Sequence, residues 1–438
     1  MKIKKLEIKG LHGNQEPLIL NFNDDLNILS GRNGAGKTTI LKLMWYLISG
    51  NFDKAVAEIQ FTSAVLLTDK YELTVELNFD KKDQPFSSTL KAFELDITKL
   101  KGIDEDKIFR KIVQNESKTN MAWFFTQYID SSFFMPTFRM IEGGFTTEKY
   151  NIKHDVIKEF YLNLNNENDF NDFENSLIKI SNNLTKKDHK FITSISAKEI
   201  DMFLVKKYAE IMKKVNIYQS ESLQLLSKKI KLMFDTELKD IELVESLNKR
   251  NTFIETEINN LNKPLNKIKA AVKDFMPFFR IQFDQKIYFT KVSEHPENKY
   301  FNSEGFDLDI PDYEFDHFDL DTTDIPSYDP EIDFDQLEFE SLVIDDHKDK
   351  NITINNLSAG EKQLLTFVSY NIFHNDTIFF IDEPELSLHV DWQSKLFSLL
   401  KEQNPTNQFI ISTHSPFIYS LFPDKELVMD FDKGCSEF

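Results

Sequence analysis

Two periodicities divide this chain. Near its start, "KIKKLEI" interleaves apolar and charged positions as a half-exposed strand does, and "LNILS" is the short, mostly apolar run of a buried strand. Past Lys37 the residues Ile40, Leu41, Met44, Leu47 and Ile48 recur at helical spacing, with Gly50 as a stop. "AEIQFTSAVLLTDKYELTVELNF" then predicts a pair of strands. Far downstream, "DTIFFIDEPE" and "QFIISTHSP" are two more buried strands, separated by a helix expected from about His389 to Glu402.

Between these ends the pattern changes. From about Tyr150 to Met276 the chain is poor in Gly and Pro and rich in Lys, Asn and Glu, and Ile254, Ile258, Leu261, Leu265, Ile268, Val272 and Phe275 step as a coiled-coil seam. Pro264 lies inside that seam and predicts a kink or a restart of the helix. Helical patterns on both sides of Asn216 to Ser220 predict a hairpin or small bundle, and ordinary amphipathic core helices would satisfy the same periodicity. "FFRIQFDQKIYFTKV" returns to strand periodicity. The expected fold class is α/β: an N-terminal lobe at 1–149, a helical insert at 150–276, a strand and acidic-aromatic segment at 277–350, and a C-terminal lobe at 351–438 that completes the first.

Composition narrows the setting. The 438 residues are 41% apolar, enough for a sizeable core, and no window is long and apolar enough to cross a bilayer. "MKIKKLEIKG" has positive charge without the apolar run of an export signal, so a soluble, cytoplasmic protein is expected. Cys435 is the only cysteine, which excludes an intrachain disulfide and a cysteine-based metal cluster. Of the net charge of -20, residues 304–346 contribute 17 Asp and Glu with no Lys or Arg. Phe306, Phe315, Phe318, Phe334 and Phe339 alternate with these acids, a pattern open to two readings: partner docking or autoinhibition, and surface-strand structure. Such a field repels phosphate, so this segment is not expected to touch DNA.

The candidate chemistry begins at "SGRNGAGKTT". Gly31, Gly36, Lys37 and Thr38 fulfil the phosphate-loop pattern between a predicted strand and a predicted helix, with Asn33, Gly34 and Thr39 inside the same cradle. Glycines let backbone N–H groups converge on phosphate oxygens, Lys37 reaches the terminal phosphates, and the Thr38 hydroxyl is a Mg2+ ligand. The substrate and cofactor expected are therefore ATP and Mg2+. The strand before "DEPE" delivers Asp382 to the outer coordination sphere of the magnesium and sets Glu383 to polarise an attacking water. His414 ends the following strand, where it would contact the terminal phosphate. In "LSAGEKQ", Ser358 and Gly360 offer a hydroxyl and a backbone N–H to an anion at a helix N-terminus.

Phosphate loop, LSAGEKQ, DEPE and STHSP, in that order, resemble the ATP-binding-cassette heads of the RecF and SMC class. The resemblance implies that Ser358 and Gly360 complete the ATP site of a neighbouring copy, and that the protein is a homo-oligomer bridged by ATP. It also suggests Gln60, in "EIQF", as the magnesium-sensing glutamine, and it places His389 where an aspartate usually couples the two sites. Transporter cassettes carry their signature much closer to the phosphate loop than Leu357 is to Thr39, and they are disfavoured.

"GLHGNQEPLILNFNDDLNILSGRNGAGKTTIL", "FFMPTFRMIEGG" and "DEPELSLHVDWQ" resemble the anti-phage ATPases of the Septu (PtuA) and PARIS (AriA) systems and of the overcoming-lysogenisation-defect nucleases. Arg139, in the second of these, is a candidate either for phosphate or for a structural ion pair. The nucleases carry a further domain, whereas only 24 residues follow His414, too few for one, so any nuclease or toxin is expected on a separate effector polypeptide, with a phage-encoded trigger. The alternative is a RecF/SMC-like DNA-repair ATPase that binds DNA ends through its helical insert. A third is a bare regulatory ATPase.

Overall fold

A computed structural model of the chain describes residues 1–78, 85–93, 126, 129–137, 140–141, 179–192, 194–195, 197–234, 241–284, 286–292 and 351–429. The acidic segment 304–346 and Arg139 lie outside the described residues.

The N-terminal part supplies β1 (Ile3–Lys9), β2 (Leu18–Asn21), β3 (Leu26–Ser30), α1 (Lys37–Ile48), α2 (Phe52–Glu58), β4 (Ser63–Thr68), β5 (Tyr71–Leu77) and β6 (Phe86–Ala92). Short strands β7 (Ser131–Met135), β8 (Met140–Ile141), β9 (His189–Phe191) and β10 (Ser194–Ile195) lead into two long helices, α3 (Ala197–Phe234) and α4 (Ile241–Phe275). Then come β11 (Phe279–Phe283), β12 (Ile287–Lys291), β13 (Ile352–Thr353), α5 (Ala359–Phe373), β14 (Thr377–Asp382), α6 (Val390–Gln403), β15 (Gln408–Ser412), α7 (Pro416–Tyr419) and β16 (Glu426–Val428).

The central sheet has six strands in the order β16-β3-β15-β14-β7-β9, and every neighbouring pair is parallel. Its inner strands are covered on both faces, so they need continuous apolar runs. In β14, Ile378 and Phe380 enter one core with α1 and the N-terminal sheet, while Phe379 and Ile381 enter the other with α5, α6 and the helical pair. Successive side chains point to opposite faces, so one strand feeds both cores.

The second sheet, β2-β1-β4-β5-β6, is antiparallel. Its first strand departs from strict alternation: Ile3, Leu6 and Ile8 are all buried although Ile3 and Leu6 have opposite parity. A register shift between Ile3 and Lys5 reconciles them by inserting one extra residue. Gln408 joins the two sheets. Its side chain accepts from the Ile3 N–H at 2.8 Å and donates to the carbonyls of Ile3 and Asn23 at 2.9 and 2.7 Å.

The fold is α/β, its parallel sheet assembled from N- and C-terminal segments with a helical pair between them. The pair differs from its expected form in two respects. Helix α3 runs unbroken through Asn216–Ser220, a stretch that includes neither Gly nor Pro to end it. Helix α4 likewise continues through Pro264 and does not restart there. The seam reading fits the burial: Ile254, Leu265, Ile268, Val272 and Phe275 are buried, and Leu265 packs with Ile211 and Val215 of α3. Within the expected 150–276 insert, His189–Phe191 is the edge strand of the parallel sheet.

Replacing Gln408 by Leu would leave buried peptide groups of Ile3 and Asn23 without partners. Each such group costs about 1–3 kcal/mol. Gln408→Leu is therefore expected to lower unfolding stability by about 3 kcal/mol or more. A urea midpoint equal to the parent's would contradict this role.

Candidate active site

Four strands of the parallel sheet end at one edge, and each delivers a polar residue there. Strand β3 runs into the phosphate loop, β14 ends on Asp382, β15 ends on Ser412 just before His414, and β7 ends just before Thr137. Ligands in open parallel sheets lie at this carboxyl edge. The register is specific: Asp382 sits opposite Ser412, and Ile381 opposite Met135.

The loop from Gly31 to Gly36 turns on glycine conformations. Gly31 has φ +134°, and a Cβ there would press on the Met429 carbonyl oxygen. Gly34 and Gly36 have φ near +86° and +85°, a region other residues enter only with strain. No atom lies within 4 Å of a Cβ built at Gly34, which leaves open space above the loop. The Lys37 ammonium donates to the carbonyls of Gly31 at 2.9 Å and Arg32 at 3.1 Å, and it lies 2.9 Å from His414 Nε2. An ammonium has no lone pair, so Nε2 accepts and a ring proton belongs on Nδ1. Burial pulls the Lys37 pKa down, opposed by the charges of Glu383, Asp382 and Glu385.

Asp382 is fully buried and collects hydroxyls from three segments. Thr38 donates to Oδ1 at 3.0 Å, Ser412 donates to the same oxygen, and Thr137 donates to Oδ2. Glu383 follows in a left-handed conformation, φ +49°, with its N–H donating to the Ser412 carbonyl at 2.9 Å. Burial raises its pKa above the ordinary carboxylate value, and the charges of Asp382 and Glu385 raise it further. Glu385 in turn accepts the His414 backbone N–H at 2.8 Å.

The signature segment caps α5. Ser358 is the N-cap: its hydroxyl accepts from the Glu361 N–H at 3.3 Å, and the Glu361 carboxylate accepts from the Ser358 N–H at 2.6 Å. This reciprocal capping box starts the helix. Gly360 packs so closely on Ser387 that a Cβ would collide with the Ser387 carbonyl oxygen. Gln363 donates to the Pro384 carbonyl at 2.8 Å, tying the signature helix to the loop after Asp382.

The predicted residues thus fall into two groups. Lys37, Thr38, Asp382, Glu383 and His414 come together on one edge, with Gly31, Asn33, Gly34, Gly36 and Thr39 in or beside the loop. Ser358 is exposed, and no recorded hydrogen bond joins it to the phosphate loop. Gln60 is exposed as well. Its carbonyl accepts from the His12 N–H at 3.0 Å, and the residue lines a groove with Lys9, Gly13 and Asn14 rather than bonding Thr38 or Asp382. His389 caps α6, with its side chain 70% exposed.

Sequence reading did not find Thr137, Ser412, Glu385 or His12, whose imidazole would lie 4.0 Å from a Cβ on Gly36. Ser412 was within reach, since it precedes His414 on a strand parallel to the one ending at Asp382. Thr137 carried no signal of its own.

The AAA ATPase domain family model matches residues 1–419. The chain belongs to that family. Among curated proteins, the chain is 35% identical over 89 residues to the retron Vc95 probable ATPase of Vibrio cholerae, covering 17% of each chain. It is also 35% identical over 91 residues to the Septu protein PtuA of Bacillus thuringiensis, covering 18% of this chain and 22% of that one. The matched stretches span under a quarter of either relative.

Solved structures matched over most of the chain include the SMC head domain of Thermotoga maritima, at TM-score 0.36 and 11% identity over 96% of this chain and 92% of that one. The Smc head domain of Pyrococcus furiosus with an extended coiled coil has TM-score 0.34 and 12% identity over 96% and 91%. Among the described residues no helix is long and apolar enough to cross a membrane.

Gly360→Ala tests the close packing of the signature helix on the loop after Asp382. The added methyl must displace the Ser387 backbone, and overpacking of this kind costs about 1–3 kcal/mol. Thermal unfolding should show a clear loss of stability, and a melting temperature equal to the parent's would contradict the contact.

Proposed function

We propose that this ATPase is the sensor or scaffold subunit of an anti-phage defence system. In this reading it assembles by enclosing ATP between copies and restrains or activates a separate nuclease or toxin effector. The observation that carries the reading is the division of the site. Loop, lysine, carboxylates and histidine form one half, while Ser358 stands exposed at a helix N-terminus with no recorded hydrogen bond to that half. A second copy would bring its Ser358 and Gly360 to the first copy's phosphate loop, and exposed His389 would lie on the face between them.

The donor set fits a nucleotide with a hard divalent cation. Gly34 and Gly36 leave room for phosphate beside backbone N–H groups at the start of α1. The Thr38 hydroxyl and Asp382 carboxylate are oxygen ligands suited to Mg2+. These two residues would hold the cation, and when bound it would supply charge screening for the phosphates and polarisation of the terminal phosphorus. Lys37 neutralises the terminal phosphates, Glu383 orients water and accepts its proton, and His414 contacts the transferred phosphoryl group. The raised proton affinity of Glu383 suits a base better than an ordinary surface carboxylate would. Gln60 would need to move to reach the metal. The retron and Septu matches support the defence setting.

Lys37→Ala should weaken ATP binding, whereas Glu383→Gln should keep ATP, slow hydrolysis about a hundredfold or more, and accumulate the assembled form in light scattering. Ser358→Arg should abolish hydrolysis at unchanged ATP affinity. Mixing it with Lys37→Ala rebuilds one intact site in each mixed dimer and should restore about a quarter of the parental rate. A fully active monomer would overturn the shared site. Activity that depends on added DNA, with no protein effector co-purifying, would favour the DNA-end-binding alternative.

A further inference from the structure

Away from the phosphate loop, a cavity of about 240 Å³ opens between the base of α3, the edge strand β9 and the C-terminal end of α5. It is smaller than the roughly 300–1,000 Å³ of drug-sized sites, which suits a single planar ring system.

Its walls are rings. Phe133 stacks on Tyr370 with centroids 5.2 Å apart, and Phe203 meets Tyr370 edge-on at 4.9 Å. His374 lies parallel to Phe203, with 5.8 Å between centroids. Its Nδ1–H donates to the Tyr370 carbonyl at 2.9 Å, which leaves Nε2 as an acceptor. Burial, reinforced by Lys190 and Lys207, pushes the His374 pKa down to about 4 against the Tyr370 carbonyl, so the ring stays neutral at physiological pH. Glu199 adds a carboxylate to the lining and Tyr370 a phenol hydroxyl.

Charge decides what class of ligand fits. Aromatic walls beside a carboxylate could suggest a cation cage. Here, however, Lys190 already lies over the Phe133 ring at 5.8 Å and Lys207 over Phe203 at 6.0 Å. Lys207 is paired with Glu210 at 3.2 Å, so Lys190 is the ammonium that lines the cavity, and an anionic group at the mouth would be drawn to it. The interior offers aromatic rings, a neutral imidazole acceptor, a hydroxyl and the Glu199 carboxylate, the groups that recognise a base edge. We infer that this cavity binds the base of a nucleotide, with its phosphate at the mouth against Lys190, as a second nucleotide site separate from the phosphate loop.

The test uses the full chain with AMP, GMP, CMP and UMP as probes in equilibrium titrations up to about 1 mM. At least one should bind the parent and Lys37→Ala alike. Lys190→Glu, an exposed change that leaves the core intact, and Phe203→Ala should each weaken that binding about tenfold. ATP affinity of Lys190→Glu at the phosphate loop should match the parent's. The inference fails if none of the four binds, if binding disappears in Lys37→Ala, or if it is insensitive to either cavity substitution. These readouts are binding alone, so they stand whether or not the assembly model holds.

Discussion

Pairing between strands far apart in sequence is the constraint on which the head depends. Strand β3 lies beside β15, and β14 lies between β15 and β7, so the phosphate loop and its carboxylates meet only once the sheet closes. Closing a longer loop costs entropy, but slowly: a tenfold longer loop adds about 2 kcal/mol. Burying each of Ile378, Phe379, Phe380 and Ile381 contributes about 1.5–3 kcal/mol. The hydrophobic term wins comfortably. A helical pair can therefore be inserted between the two halves of the site without abolishing the site.

The same closure explains the electrostatics. Asp382 is buried, and a lone buried carboxylate is costly. Hydroxyls from β15, from the residue just beyond β7 and from the start of α1 converge on it, so it is satisfied only when all three segments are in register. Glu383, one residue on, is turned by a left-handed backbone away from the line of the strand. Adjacent carboxylates thereby face different surroundings: Asp382 is locked among hydroxyls, while Glu383 has a raised proton affinity beside Lys37 and His414. Environment separates the two roles that the proposed chemistry requires.

What could be read from sequence was what depends on local chemistry. The phosphate loop needs glycines at fixed places, the buried strands need unbroken apolar runs, and the helix after Ser358 announces itself by Glu361 three residues on. Contacts set by strand register were harder. Thr137 reaches Asp382 only because β7 pairs with β14, a partner unpredictable from its own stretch. The helical pair misled in the opposite way. Asn and Ser at 216 and 220 read as a break, yet on a solvent-facing helix their weak propensity costs only tenths of a kcal/mol, about what packing along the seam readily offsets. Gln60 was chosen on distance from Lys37 along the chain, and the fold spends that distance in α2 before turning into β4.

One rigid element connects the parts that sequence analysis treated separately. Helix α5 begins at Ser358, the residue proposed to meet a neighbour's nucleotide, and ends at His374 beside the base of α3. Its 15 residues span about 22 Å. Gln363 fastens its first turns to the loop after Asp382, and Phe203 packs against Tyr370 and Phe373 near its last turn. A tilt of the helical pair would be carried by α5 to Ser358 as a rigid displacement, because the helix is buried along most of its length and cannot absorb the movement internally. In the proposed assembly, geometry of this kind would couple whatever binds the helical pair to the completeness of the shared site, through one helix.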